Sequence, residues 1–504
     1  VGAATDIDLS QVITYLEPGI TLLRQSRRED PMHHEDDPVP RGRIRRTMPL
    51  AGFTARAAGG RVVAGLREKA GQDGAVEQFH ERTAERYAEL LGHSRGVLMK
   101  VGQIMSMLDT RALGTGGFWP YQKAMSRLQA DAPAMHPTLV HDVLEAELGS
   151  AVEHFADFTD QPMAAASIGQ VHRAVLRDGR QVAVKIQYPG VAQAIRDDLA
   201  NAELLSTFLR FLAASTSGMK RDVKSVAREV AARISEEVDY RHEASTIAAF
   251  SKLYRDHPFI RVPEVTTEMS TNRVLTMTYL DGMDWAAAQQ ADQDLRNVWA
   301  ETILRFAYGS WRHANLMHAD PHPGNYRFNT DGTVGFVDFG CVKVLPETQR
   351  WRQVAMTRAL WDGRKEDLRE IMVLSGYLTA DSDLTTDELY QWQSELLYEC
   401  MATTPQPVTY TADSIDRVVR CLFDVRDADH PVARMTAPDD YVFAARLQLA
   451  VSSVCAGLNA TLPVRAIVED FDGAADPVTE LGKKHHAWAR ERGLPSALDH
   501  HDHP

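Results

Sequence analysis

The chain has 504 residues, 44% of them hydrophobic and 25% charged, with a formal net charge of −14. That composition describes a globular protein long enough for two lobes and further helical layers, and its negative overall field argues against a general nucleic-acid binder. The four cysteines, Cys341, Cys400, Cys421 and Cys455, stand far apart, so neither a disulfide framework nor a paired zinc motif is expected and a reducing compartment fits.

Residues 1–50 are polar, charged and punctuated by Pro31, Pro38 and Pro40, which predicts a partly disordered N-terminal segment. Asp6 and Asp8 stand where a signal peptide carries basic residues, so a cytoplasmic location is expected. Arg41, Arg43, Arg45 and Arg46, followed by Met48 to Phe53, form either a solvated linker or a contact for anionic lipid at a peripheral membrane surface. From 51 to 150 the periodicity is helical, with Ala84, Tyr87, Leu91, Leu98, Val101, Met105 and Leu108 on one face.

The texture changes at Met163. Ala164 to Leu176, the turn Arg177 to Arg180 and Gln181 to Gln187 read as strand, glycine-bearing turn and strand. Helical stretches follow over about 190–214 and 222–250, then strand-like Ile260 to Thr266 and Arg273 to Tyr279. After Asp281-Gly282 the chain is helical to about 316 and, beyond Val344, helical again almost to its end. The organisation expected is a β-rich lobe with a helical insertion over 151–281, a helical lobe over 282–490 and a polar tail over 491–504. No apolar run reaches the roughly 20 residues of a membrane span; Leu447 to Val464, interrupted by Gln448, Ser452, Ser453, Asn459, Thr461 and Pro463, reads as a buried core helix.

The chemistry concentrates in His318-Ala319-Asp320-Pro321-His322-Pro323-Gly324-Asn325 and Asp338-Phe339-Gly340. Phosphoryl transfer needs a carboxylate to orient the attacking hydroxyl or water and oxygen ligands to hold divalent metal on the phosphates. A kinase catalytic loop sets its Asn five residues after its catalytic Asp, with the metal-binding Asp-Phe-Gly further on; Asp320, Asn325 and Asp338 repeat that order and step. Between them, Tyr326 to Phe328, the turn Asn329 to Gly332 and Val334 to Val337 predict a hairpin. Asp320 is therefore the candidate catalytic residue, and Asn325 and Asp338 the candidate Mg²⁺ ligands.

A floor of this kind requires a roof lysine, and Val182-Ala183-Val184-Lys185 supplies it in the manner of a kinase small lobe. Its carboxylate partner is expected in Ser235 to Ala244, where Asp239 and Glu243 share a helix face; Glu243 is assigned to Lys185. Where kinases place a glycine-rich cover, this chain has Ala164, Ala165, Ala166 and Ser167, predicting a stiffer cover over the phosphates. Thr278 and Leu280, just before Asp281-Gly282, complete the expected nucleotide-binding set.

With these residues in view, the sequence resembles the UbiB/AarF family of atypical kinases. The likeness rests on Lys100-Val101-Gly102-Gln103, Ala164 to His172, Glu237-Val238-Asp239 with Glu243, and the loop from His318 with its Asp-Phe-Gly. It implies an α+β, protein-kinase-like two-lobe fold with a helical N-terminal extension. It also implies binding of ATP or ADP with Mg²⁺ and ATPase activity in support of isoprenoid-quinone or membrane-lipid metabolism. By the same resemblance Lys100 and Gln103 lie on an extension folded over the site, with Lys100 against Glu237 and Asp239 nearby. The partners expected are adenine nucleotide, a hydrophobic isoprenoid or lipid substrate, biosynthetic enzymes, a second copy of the chain and no nucleic acid. A nucleotide-gated scaffold and a small-molecule or lipid kinase are the alternatives. The chain has no Ala-Pro-Glu after Asp338-Phe339-Gly340, and Val344-Leu345-Pro346-Glu347 runs directly into a helical pattern, leaving little for a peptide substrate to sit on.

Overall fold

The computed structural model describes residues 134–166, 168–199, 238–423, 429–436 and 441–494, together with Arg82. Lys100, Gln103, Ser167 and Glu237 lie outside the described residues, as does most of the expected helical extension. The described chain opens with helix α1 (Pro137–Leu148), followed by a 3-10 helix over Gly149–His154.

The small lobe is an antiparallel sheet of β1 (Phe155–Phe158), β2 (Ala164–Ala166), β3 (Gly169–Leu176), β4 (Gln181–Gln187) and β6 (Val274–Thr278). Its order is β1-β3-β4-β6, with β2 also paired to β3. The sheet thus begins at Phe155, before the alanine run. The half-exposed pattern of Phe155–Phe158 conceals this strand in the sequence, since strict alternation is the signature of a half-buried strand. The β3–β4 turn is closed by Gly179 at φ +87°, a conformation that favours glycine, and by Asp178, which accepts from the Arg180 backbone N–H at 3.0 Å. The register sets Val171 opposite Lys185 and Lys185 opposite Leu275.

Between β4 and β6 come α2 (Val191–Leu199), α3 (Tyr240–Leu253) and the two-residue β5 (Ile260–Arg261). The strand expected over Ile260 to Thr266 is shorter because the chain leaves β5 for a lone bridge at Val265. Helix α3 buries Tyr240, Glu243, Ile247, Phe250 and Leu253, a single face at steps of three and four. One member of that otherwise apolar stripe is a carboxylic acid.

The large lobe is built around α5 (Gln293–Ala314), which follows the short α4 (Trp285–Ala288) and ends on Asn315 in the left-handed conformation, φ 57°. After it the chain forms β7 (Leu316–His318), β8 (Tyr326–Phe328), β9 (Val334–Phe336) and β10 (Val342–Val344). Strand β7 pairs with β10, and β8 with β9, both antiparallel; β5 adds to β9 in parallel. The rest is helical: α6 (Glu347–Trp361), α7 (Lys365–Leu374), α8 (Thr386–Leu396), α9 (Ala412–Phe423), α10 (Pro431–Arg434) and α11 (Tyr441–Gly457), then α12 (Val464–Phe471) and α13 (Glu480–Glu491). A small ribbon of β11 (Val408–Thr409) and β12 (Thr461–Leu462) interrupts them. The core helix expected over Leu447 to Val464 therefore stops at Gly457, because Asn459 takes φ 49° and turns the chain into β12.

Two buried arginines of α5 fix the C-terminal helices. Arg305 bonds Glu301 at 2.8 Å and Asp470 at 2.9 Å, and Arg312 bonds Asp472 at 2.9 Å. Desolvation offsets much of the Coulombic gain of such buried pairs, whereas removing one partner would strand a buried charge. No helix among the described residues is long and apolar enough to cross a membrane.

Candidate active site

The catalytic loop runs from the end of β7 to β8, and the Asp-Phe-Gly segment from the end of β9 to β10. The two small sheets consequently pin both loops at each end. His318 pairs with Val342 across β7–β10, and the Ala319 N–H donates to the Cys341 carbonyl at 2.9 Å. Within the loop the Asn325 N–H donates to the His322 carbonyl at 2.9 Å, and the Val337 N–H to the Asn325 carbonyl at 3.0 Å. That last bond sets Asp338 next to Asn325. The Asn325 side chain donates through Nδ2 to the Asp320 carbonyl at 3.2 Å, so its amide oxygen is not the atom spent on Asp320. His318 donates from Nε2 to the Asp338 carbonyl at 2.7 Å, which joins the two loops directly.

Lys185 reaches down from β4 and joins the floor to the helix. Its Nζ lies 2.9 Å from both carboxylate oxygens of Glu243 and 3.2 Å from Asp338 Oδ2. The Lys185 and Glu243 side chains are buried, whereas Asp338 is about one-third exposed at 32%. Burial alone would pull the Lys185 ammonium down, but the Asp338 and Glu243 carboxylates outweigh it and hold it well above its ordinary value. Burial pushes the Glu243 carboxyl up; Lys185 opposes the rise and the Asp338 charge adds to it. Two carboxylates thus share one ammonium, an arrangement in which a cation delivered to Asp338 is favourable.

Tyr240 was not singled out by sequence reasoning, yet Lys185 Nζ lies 5.2 Å from its ring centroid and its hydroxyl is buried without a hydrogen-bond partner. Its place as the first residue of α3, on the Glu243 face, was the available signal. Asp239 and Glu243 separate in role: Asp239 is the exposed N-cap of α3, accepting from the Arg241 N–H at 2.9 Å, and only Glu243 turns inward.

Phe339 of the Asp-Phe-Gly segment is fully buried. Its ring lies 5.0 Å from that of Phe250 on α3 and 5.4 Å, edge-on, from that of His318. The helix carrying Glu243, the Asp-Phe-Gly segment and the start of the loop after β7 therefore pack on one aromatic cluster.

The alanine cover is a paired strand. Ala164, Ala165 and Ala166 face Val171, Gln170 and Gly169 across β2–β3. Gly169 is required there, since an added Cβ would lie 2.1 Å from the Ile186 carbonyl oxygen. Gln170 accepts from the Met135 N–H at 2.8 Å and contacts His172 Nε2 at 2.7 Å, tying α1 to the sheet. Ala165 is exposed, Thr278 is exposed at the end of β6, and Leu280 is half-buried near Gly335 of β9.

The donor set suits Mg²⁺. No group of three or more His, Cys, Asp or Glu side chains is placed to hold a metal among the described residues, and Mg²⁺ characteristically takes one or two protein oxygens with the remainder from phosphate and water. Asp338 and the Asn325 amide oxygen are hard donors of that kind.

Comparison with known proteins agrees with this geometry. Residues 127–372 match the ABC1 atypical kinase-like domain. The chain is 30% identical over 433 residues to the mitochondrial atypical kinase COQ8B of Rattus norvegicus, covering 84% of this chain and 76% of the rat protein. The chain belongs to the UbiB/AarF family of atypical kinases. Another relative of the UbiB/AarF chain is the mitochondrial atypical kinase COQ8 of Saccharomyces cerevisiae, 32% identical over 58% of each protein. Among solved structures, Rv3197 of Mycobacterium tuberculosis in complex with erythromycin superimposes with a TM-score of 0.55 at 28% identity, covering 84% of this chain and 98% of that one. The protein is an enzyme of the atypical kinase class with a kinase-like fold.

Proposed function

We propose that this UbiB/AarF protein binds Mg-ATP between its two lobes and hydrolyses it in support of isoprenoid-quinone or membrane-lipid metabolism. The observation that carries the reading is Lys185, held at 2.9 Å by Glu243 and at 3.2 Å by Asp338. This is the lysine-to-helix and lysine-to-floor connection that phosphoryl transfer uses to position the α and β phosphates.

Each residue has a role that follows from its place. Lys185, fixed from behind by Glu243, donates to phosphate oxygens. Asp320 accepts the proton of the attacking water or hydroxyl and orients it. Asn325 and Asp338 hold Mg²⁺, which when bound neutralises charge on the phosphates. The paired alanine strand β2, with Ser167 beyond it, covers the phosphates with little backbone freedom. Lys100 and Gln103 of the N-terminal extension, which lie outside the described residues, are by the family resemblance the part that would close the site, with Lys100 against Glu237 and Asp239 nearby, excluding a protein acceptor. The hydrophobic substrate, a peripheral membrane surface and biosynthetic enzyme partners belong to this same reading.

Product analysis with γ-labelled ATP, Mg²⁺ and a cell lipid extract tests it. Labelled inorganic phosphate that disappears in Asp320→Asn supports hydrolysis. Label in the lipid fraction assigns transfer to a lipid instead, and no turnover together with no Mg-dependent nucleotide binding overturns the reading.

A further inference from the structure

The large lobe contains a cavity of about 150 Å³ remote in role from the nucleotide machinery. It lies where α5, α6, α8, α11 and α12 converge, and its walls include Trp311, Trp392, Met317 and Tyr377. Two charged-type side chains also line it, Arg312 and Glu399, each only 4% exposed. Arg312 gives Nε to Asp472 at 2.9 Å, but its Nη1 is buried with no hydrogen-bond partner, and Glu399 Oε1 is in the same condition. Burial pushes the Glu399 carboxyl above its ordinary range.

Buried polar atoms without partners are rare, and each calls for an occupant or a cost. Water is a poor answer for the whole space, since each buried water needs two to four polar partners and most of these walls are aromatic or aliphatic. A cavity of about this volume has room for one six-membered ring. We propose that the cavity is a ligand site for a neutral single-ring organic molecule that carries a hydrogen-bond acceptor and a donor. The acceptor takes the Arg312 Nη1 hydrogen, the donor bonds Glu399 Oε1, and the ring lies among Trp311, Trp392 and Met317. The cavity is too small for a long isoprenoid chain, and the proposal stands independently of the nucleotide reading.

Benzamide and toluene are matched probes, one with the acceptor and donor and one without them. Ligand-observed NMR titration of the full chain should give benzamide a dissociation constant about tenfold or more below that of toluene, because toluene leaves both buried groups unpaired. Glu399→Leu should weaken benzamide by about tenfold while toluene binds as well or better. The wild-type comparison needs no variant to fold. Equal affinity for the two probes, binding of neither (a cavity holding water alone), or unchanged benzamide affinity in a folded Glu399→Leu protein overturns the proposal.

Discussion

Replacing Lys185 by Met should produce a stability deficit that grows with pH. The substitution removes the ammonium that lies 2.9 Å from both oxygens of Glu243 and leaves a buried carboxyl without its cation. Asp338 loses the same partner, but water reaches about a third of its side chain, so its share of the cost is smaller. Breaking a buried pair from one side costs about 3–5 kcal/mol when the remaining group stays charged. Here the remaining group has an alternative, which is to take up a proton. Burial already raises the Glu243 pKa in the folded protein, and without Lys185 the chief opposing influence is gone. In the unfolded chain the same carboxyl titrates at about 4.3. Between that value and its raised folded pKa the folded state binds more protons, so stability falls as pH rises, by at most about 1.4 kcal/mol per pH unit. Urea unfolding of both proteins from pH 5 to pH 8 measures the difference, with groups common to both cancelling. The deficit should be small near pH 5 and approach the full cost by pH 8. A deficit that is constant across this range, or that shrinks as pH rises, refutes the picture of a buried Glu243 that depends on Lys185.

Other substitutions separate the parts of the site. Asp320→Asn should lower ATP turnover by about a hundredfold or more with little change in nucleotide affinity, since orienting a nucleophile matters mainly in the transition state; an equal loss in both would remove Asp320 from that role. Ala165→Gly should change the preference between ATP and ADP or raise self-phosphorylation, because it loosens the exposed centre of β2. If glycine at Ala164, Ala165 and Ala166 in turn alters neither property, that strand is only part of the sheet. Gly169→Ala should destabilise the small lobe by about 1–3 kcal/mol or more, its new methyl meeting the Ile186 carbonyl and the Tyr240 hydroxyl; a chemical melt identical to wild type would show that β3 can shift without cost.

The parts of the site legible in the sequence are those with short-range grammar. Asp320, Asn325, the β8–β9 hairpin and Asp338 lie within one continuous stretch whose spacing and turn chemistry carry the information locally. Lys185 and Glu243 are 58 residues apart, and their pairing was readable only because an acid on an amphipathic helix had to answer a strand lysine. Asp239 looked equivalent to Glu243 by spacing, but helix capping took it out of the face, a choice made by backbone conformation at the helix start. Elements two or three residues long, such as β5, β7 and β10, have too few positions for a period to show. The Arg305 and Arg312 clusters join residues more than 150 positions apart through tertiary packing alone, and the large-lobe cavity is a product of the same long-range convergence.

The most direct test of the nucleotide site is the Mg²⁺ dependence of ATP and ADP affinity in the wild type and in Asp338→Asn, measured by isothermal titration on proteins shown to be folded. Binding that requires Mg²⁺ in the wild type and is lost or made Mg²⁺-independent in the variant is the predicted result, because the metal loses a charged ligand. A folded Asp338→Asn protein that binds Mg-ATP as tightly as the wild type would contradict the account.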